Sequence, residues 1–153
     1  MSDKGKLARE NFNSGCNCAQ SVAVAFCEEC GFNRETMMKL SCSFGAGMGR
    51  LREVCGAVSG MLLVAGMLYA SDDPTDDDAK AQHYERVQEL AFKFKEKHGT
   101  FICRELLGLD IDGADDPTPS KRTEEYYQTR PCGDFIEDGA NILMDYINKH
   151  PYK

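Results

Sequence analysis

The sequence predicts an all-α fold, a compact single-domain helical bundle of about six or seven helices around a central apolar helix at residues 55–70. Two observations carry this expectation. Helical periodicity runs through nearly the whole chain, with one short strand candidate, Met37 to Phe44, whose composition suits a helix equally well. The stretch Val54 to Ala70 contains no charged side chain. It falls short of the roughly 20 residues that a bilayer span needs and carries three glycines, so it reads as a buried helix rather than a membrane span.

Each element follows from local signals. Lys4 to Asn13 reads as the first helix, and a second opens after Gly15 with Asn17 as its cap and runs to Gly31. In the central helix Gly56 and Gly60 form a small-xxx-small pair, a spacing that lets a neighbouring backbone approach closely. Thr75 to Asp78 introduces a long helix with an apolar stripe of Tyr84, Val87, Ala91 and Phe94, and Gly99 ends it. Thr100 then caps a short helix that stops at Gly108. Asp110 to Ser120 is acidic, contains Gly113, Pro117 and Pro119, and reads as a surface loop; Lys121 to Gln128 follows as a helical segment. The last helix spans Pro131 to Lys149, with Phe135, Ile136, Ile142, Leu143, Tyr146 and Ile147 inward.

Length argues for one domain over residues 1–153. A chain of this size buries about 70% of its unfolded surface, so it has no need of disulfides to fold. The segment Met1 to Phe12 is charged and lacks the apolar core of a secretory signal, which places the protein in the cytoplasm. A net charge of −7 repels phosphate backbones and anionic lipid, so nucleic acid is not an expected partner. No nucleophile-elbow serine and no H-E-x-x-H motif occurs, which argues against a hydrolase. Asp110-Ile111-Asp112-Gly113 begins like a calcium loop, but its glycine comes too early and Lys121 stands where a bidentate glutamate belongs.

Against this background, eight cysteines call for a chemical explanation. A cytosolic chain keeps that much sulfur for metal binding or redox chemistry more often than for disulfides. Cys18, Cys55, Cys103 and Cys132 each fall at or near the first turn of an expected helix, where free N–H groups and the positive end of the dipole favour a thiolate. Cys16, Cys27, Cys30 and Cys42 form a second group. If one helix carried residues 18 to 30, Cys18 and Cys27 would be about 13 Å apart along its axis and half a turn around it, so they could not share a metal. Cys27-Glu28-Glu29-Cys30 lacks a preceding strand, and its glutamates raise thiol pKa values, which points to a structural role.

The segments Gly15-Cys16-Asn17-Cys18-Ala19-Gln20-Ser21-Val22, Phe44-Gly45-Ala46-Gly47-Met48-Gly49-Arg50 and Cys55-Gly56-Ala57-Val58-Ser59-Gly60, followed by Cys103 and then Cys132, resemble the C_GCAxxG_C_C family of bacterial proteins, whose name records redox activity. The resemblance spans Gly15 to about Gly139. Its motif, Cys-Gly-Ala-x-x-Gly with one cysteine before and two after, falls on Cys55, Cys18, Cys103 and Cys132. The family is small and helical, and a similar domain accompanies split-Soret type cytochromes, where an iron-sulfur centre sits beside haem. The resemblance therefore implies a redox-active protein and hints at cluster binding.

Two chemistries suit four inward thiolates. In one, all four converge on an iron-sulfur cluster for electron transfer, or on zinc as a structural or carried metal. In the other, pairs cycle between thiol and disulfide, with Cys55 attacking because Gly56 and Ala57 leave it open, and Cys18 as the second catalytic sulfur. Gly45, Gly47, Gly49 and Gly56 are expected to bring backbone close to the centre, with N–H groups available to sulfur. Among the histidines only His98 lies on the stripe of the long helix, and a satisfied side chain is the simpler expectation there. The partner would be a redox protein, and Gly56 with Gly60 would also permit a homodimer.

Overall fold

The computed structural model describes residues 3–152, and its sole extended pairing there is an isolated antiparallel bridge between Val54 and Ile102. Nine right-handed helices lie among the described residues: α1 Lys4–Asn13, α2 Cys18–Val24, α3 Cys27–Cys30, α4 Arg34–Cys42, α5 Gly56–Tyr69, α6 Asp77–His98, α7 Cys103–Leu106, α8 Glu124–Thr129 and α9 Cys132–Lys149. The fold is all-α, as the periodicity requires.

Helix α5 is the central element, packed by α2, α6 and α9. Its side chains Val58, Met61, Val64 and Ala65 meet Val22, Phe26, Leu90, Phe94, Ile136 and Leu143 in one buried core. The small-xxx-small pair works as its spacing suggests. A Cβ on Gly60 would lie 2.6 Å from the Ala19 carbonyl oxygen, and one on Gly56 would lie 2.9 Å from the Ala19 nitrogen. Only glycine lets α2 lie this close to α5. Helix α9 makes a similar approach, with Gly139 beside the Ala57 carbonyl.

Helices α1 and α9 and the αL closure of α6 at Gly99 match the sequence reading. Four expectations need correction. The helix expected from Asn17 to Gly31 is broken at Ala25 and Phe26 into α2 and α3. The buried Lys4 ammonium explains how the break is tolerated: it accepts no intrahelical role, donating to the Ala25 carbonyl at 2.9 Å and pairing with Glu29 at 2.8 Å. The strand candidate Met37 to Phe44 is helical as far as Cys42, the end of α4, which is opened by an Asn33 cap and has Met37 and Ser41 buried. On α6 the inward residues are Leu90 and Phe94, whereas Tyr84 is exposed. Thr100 is not the cap of α7, which starts at Cys103 after Ile102; its hydroxyl instead accepts from the Ile102 N–H at 3.1 Å.

Candidate functional site: a cysteine and arginine cavity

Four helix starts deliver four cysteines to one cavity. Cys18, Cys103 and Cys132 are the first residues of α2, α7 and α9, and Cys55 is the cap residue of α5. All four line a cavity of about 270 Å³. Cys55 and Cys103 are set side by side by the Val54–Ile102 bridge, in which the Cys55 N–H donates to the Phe101 carbonyl at 2.8 Å and the Cys103 N–H to the Glu53 carbonyl at 2.5 Å. Cys18 is placed by its neighbour Asn17, whose side chain and that of Gln20 close a capping box at the start of α2.

The glycine-rich segment makes the cavity wall, in a conformation that the sequence did not announce. Ala46, Gly47, Met48, Gly49 and Arg50 all have positive φ, and Arg50 donates its N–H to the Ala46 carbonyl at 3.1 Å. Residues 46–50 thus form a single left-handed helical turn. Left-handed backbone costs about 1–2 kcal/mol per residue with a Cβ, and glycines carry part of the turn without it. A Cβ on Gly47 would stand 2.7 Å from the Cys103 Cβ and 2.6 Å from the Arg52 Cα. Gly45 lies against the Asn17 side chain, and Gly56 against Cys18 and Ala19. Of the four glycines expected near the centre, Gly45, Gly49 and Gly56 line the cavity, while Gly47 supports Cys103 from behind.

Arginines and a loop complete the walls. Arg50, Arg52, Arg122 and Arg130 line the cavity together with Tyr126. Arg52 is buried and donates to Cys103 Sγ at 3.6 Å and to Asp115 at 3.0 Å. Asp115 also receives Arg50 at 3.2 Å, and the Asp116 carbonyl accepts from the same arginine. The segment from Asp110 to Ser120 is therefore more than a surface loop: it is tied down over the site, and Pro117, Pro119 and Ser120 line the cavity.

A scan against protein-family models matches residues 16–146 to the family described as "Putative redox-active protein (C_GCAxxG_C_C)". The chain belongs to this family. No curated protein and no solved structure matches it. The family label spells Gly-Cys-Ala, whereas this C_GCAxxG_C_C protein carries Cys55-Gly56-Ala57.

Electrostatics in this C_GCAxxG_C_C member run against the expected helix-start thiolates. Burial, and next the neighbouring Cys18, hold the Cys55 thiol well above its usual value; the Ala57 N–H donates to it in the opposing sense. Cys132 is pushed up to about 12 by burial and then by Cys18, with Arg130 working against both. Burial also raises Cys103, opposed by Arg52. The helix-start donors exist, but desolvation outweighs them, so these three sulfurs carry protons at neutral pH when nothing else is bound. The openness expected around Cys55 is absent: it is 5% exposed, whereas Cys18 is only partly buried. Cys18 is the one thiol that the other three all feel.

The second cysteine group separates. Cys42 joins the cavity rim, but Cys16, Cys27 and Cys30 do not line it. Cys16 contacts Met38 and Arg34, and Cys27 and Cys30 lie beside Glu29; burial raises both thiols, opposed by Arg34 at Cys27 and reinforced by Cys27 and Glu29 at Cys30. Although the helix between Cys18 and Cys27 is broken, the break does not bring Cys27 to the site. His98 turns to Asp138 at 2.8 Å and packs on Phe94 and Phe135. Arg52, Arg122, Arg130 and Tyr126 were invisible as site residues, because no local motif marks a loop arginine that folding carries across the bundle. Among the described residues no helix is long and apolar enough to cross a membrane.

Proposed function

We propose that Cys18, Cys55, Cys103 and Cys132 form the redox centre of this protein and hold an iron-sulfur cluster for electron transfer. The observation that supports this reading is the convergence of four helix starts, from four separate parts of the chain, on one cavity. Four thiols suit iron-sulfur or zinc among metal centres. Among the described residues no three ligating side chains are gathered for a metal ion, so iron-sulfur and zinc are separated by metal analysis. When bound, such a cluster takes up and gives up single electrons.

The chain's own residues have definable tasks in this reading. The raised thiols of Cys55, Cys103 and Cys132 give up protons as they become ligands, so loading releases protons and weakens as pH falls. Arg52 supplies a positive donor at Cys103, and the Asp115 loop with Pro117 and Pro119 limits water. The Ala57 N–H stabilises charge on the Cys55 sulfur.

A metal-free thiol-disulfide couple is the second reading, and one observation favours it: Cys18 is at once the common neighbour of the other three thiols and less buried than Cys55 or Cys103. In that chemistry Cys18, rather than the buried Cys55, would be the attacking sulfur, with Cys55 resolving. Anaerobic purification followed by iron, zinc and acid-labile sulfide analysis on one sample, with its visible spectrum, tests both. Iron with sulfide and bands that bleach under dithionite is the expected result. Zinc alone, or no metal with thiol counts falling in pairs under mild oxidant, would overturn the cluster reading.

A further inference from the structure

The cavity is strongly cationic in a chain of net charge −7. Four guanidinium groups line it, and no Asp or Glu does. Arg50 and Arg52 share one carboxylate, Asp115, set behind the wall. Arg122 and Arg130 make no ion pair among the described residues. Arg122 is spent on the carbonyls of Phe12 and Cys16 and on Tyr127. Arg130 has one hydrogen bond, to Ser120 Oγ at 3.3 Å, and lies over the Tyr126 ring at 5.0 Å. Much of its donor fork is uncommitted, and because no buried side-chain nitrogen among the described residues lacks a partner, those donors are open to the cavity's solvent and free to meet a ligand.

The cysteines do not account for this surplus. Four thiolates around an iron-sulfur core or zinc leave about two negative charges. Four arginines less Asp115 exceed that, and in the metal-free chain the excess is larger still. Helices α5 and α9 add the positive ends of their dipoles, since their starts carry Cys55 and Cys132 into the same space.

We propose that this cavity binds a small oxyanion, a carboxylate or a tetrahedral sulfur or phosphorus oxyanion, beside the cysteines, with Arg130 as the group that meets it. The site thereby selects an anionic small molecule as what the cysteine centre works beside. This rests on the reading of the cavity as the redox site, but the binding itself belongs to the metal-free chain and is tested there.

Charged and neutral alkylating reagents test it. In metal-free full-length protein, the rate with iodoacetate is divided by the rate with iodoacetamide at each cysteine, resolved by mass spectrometry. Cys18, Cys27 and Cys132 are all partly buried, but Cys27 lies outside the cavity, where Arg34 and Lys4 are offset in part by Glu29. The expected ratio at Cys18 and Cys132 exceeds that at Cys27 by about tenfold or more, the lower end of electrostatic focusing in a charged cleft. Sodium sulfate or sodium acetate replacing chloride at constant ionic strength should collapse the excess. Sulfate acting alone assigns a tetrahedral oxyanion, and acetate acting alone assigns a carboxylate. Arg130→Met should reduce the excess severalfold, and Arg130→Lys should keep most of it.

Equal ratios at all three cysteines, or an excess that neither sulfate nor acetate competes away better than chloride, would overturn the proposal. Iron and sulfide measured on Arg130→Met keep the two readings apart. Iron retained with the anion preference lost supports the assignment to Arg130, while a wild-type protein that prefers anions but never takes up iron overturns the cluster reading alone.

Discussion

Arg52 Nη1 lies 3.6 Å from Cys103 Sγ while the same guanidinium holds Asp115 at 3.0 Å, so one buried cation joins a site sulfur to the loop that covers it. A positive charge at that place favours the more negative, reduced form of any centre that Cys103 helps hold. Arg52→Met is expected to lower the midpoint potential by on the order of 60 mV, the one-electron equivalent of a tenfold shift. Spectroelectrochemical titration at unchanged iron content measures it, and an unshifted potential would separate Arg52 from the centre.

Replacing a site cysteine should cost the whole centre. Serine at Cys18, Cys55, Cys103 or Cys132 is expected to abolish iron and sulfide retention. Cys27→Ser and Cys30→Ser, outside the cavity, should retain both. Metal analysis on the six single variants decides it; the reverse pattern would sink the assignment.

The glycines of the left-handed turn are not equivalent. Gly47→Ala adds a methyl 2.6 Å from backbone at Arg52 as well as a positive-φ penalty, whereas at Gly49 the nearest atom is 3.8 Å away and only the penalty applies. Expected losses are about 3 kcal/mol or more at Gly47 and about 1 kcal/mol at Gly49. Urea unfolding of the two variants gives the comparison.

Stability should fall in alkali partly through Cys30, a thiol remote from the cavity. Burial first, then Cys27 and Glu29, push it to about 11 from an ordinary 9.0. Below pH 9 it is protonated in both states and contributes no slope. Above that, the unfolded chain ionises first, so stability declines until the folded thiol also ionises near 11. The urea midpoint of the metal-free protein should drop across this window, and less steeply in Cys30→Ala.

What could be read beforehand was whatever local chemistry controls. The Asn17 and Asp76 caps, the Gly99 closure and the amphipathic face of α9 each act within a turn or two, and their helices were legible. The four cysteines were legible for the same reason, since each sits at a helix start. The break after Val24 was not, because Val22 to Phe26 is continuously apolar and the lysine that satisfies the freed carbonyl comes from α1. Left-handed backbone at Ala46, Met48 and Arg50 runs against their intrinsic preference, in a turn whose Gly47 is seated against Arg52 and Cys103. The protonated state of the site thiols was missed because burial, which depends on the whole fold, outweighs the helix-end donors that sequence reveals.

Because each site sulfur sits at the opening of its own helix, what recurs among the cysteines is their place in the helix and not the length of chain between them. Length can vary in the connections that touch neither the Val54–Ile102 bridge, the left-handed turn nor the Asp115 loop, provided each helix still opens at its cysteine. A centre of this kind has no fixed spacing to search for. Its signature in a new sequence is cysteine recurring in one grammatical position, at the opening of successive helices.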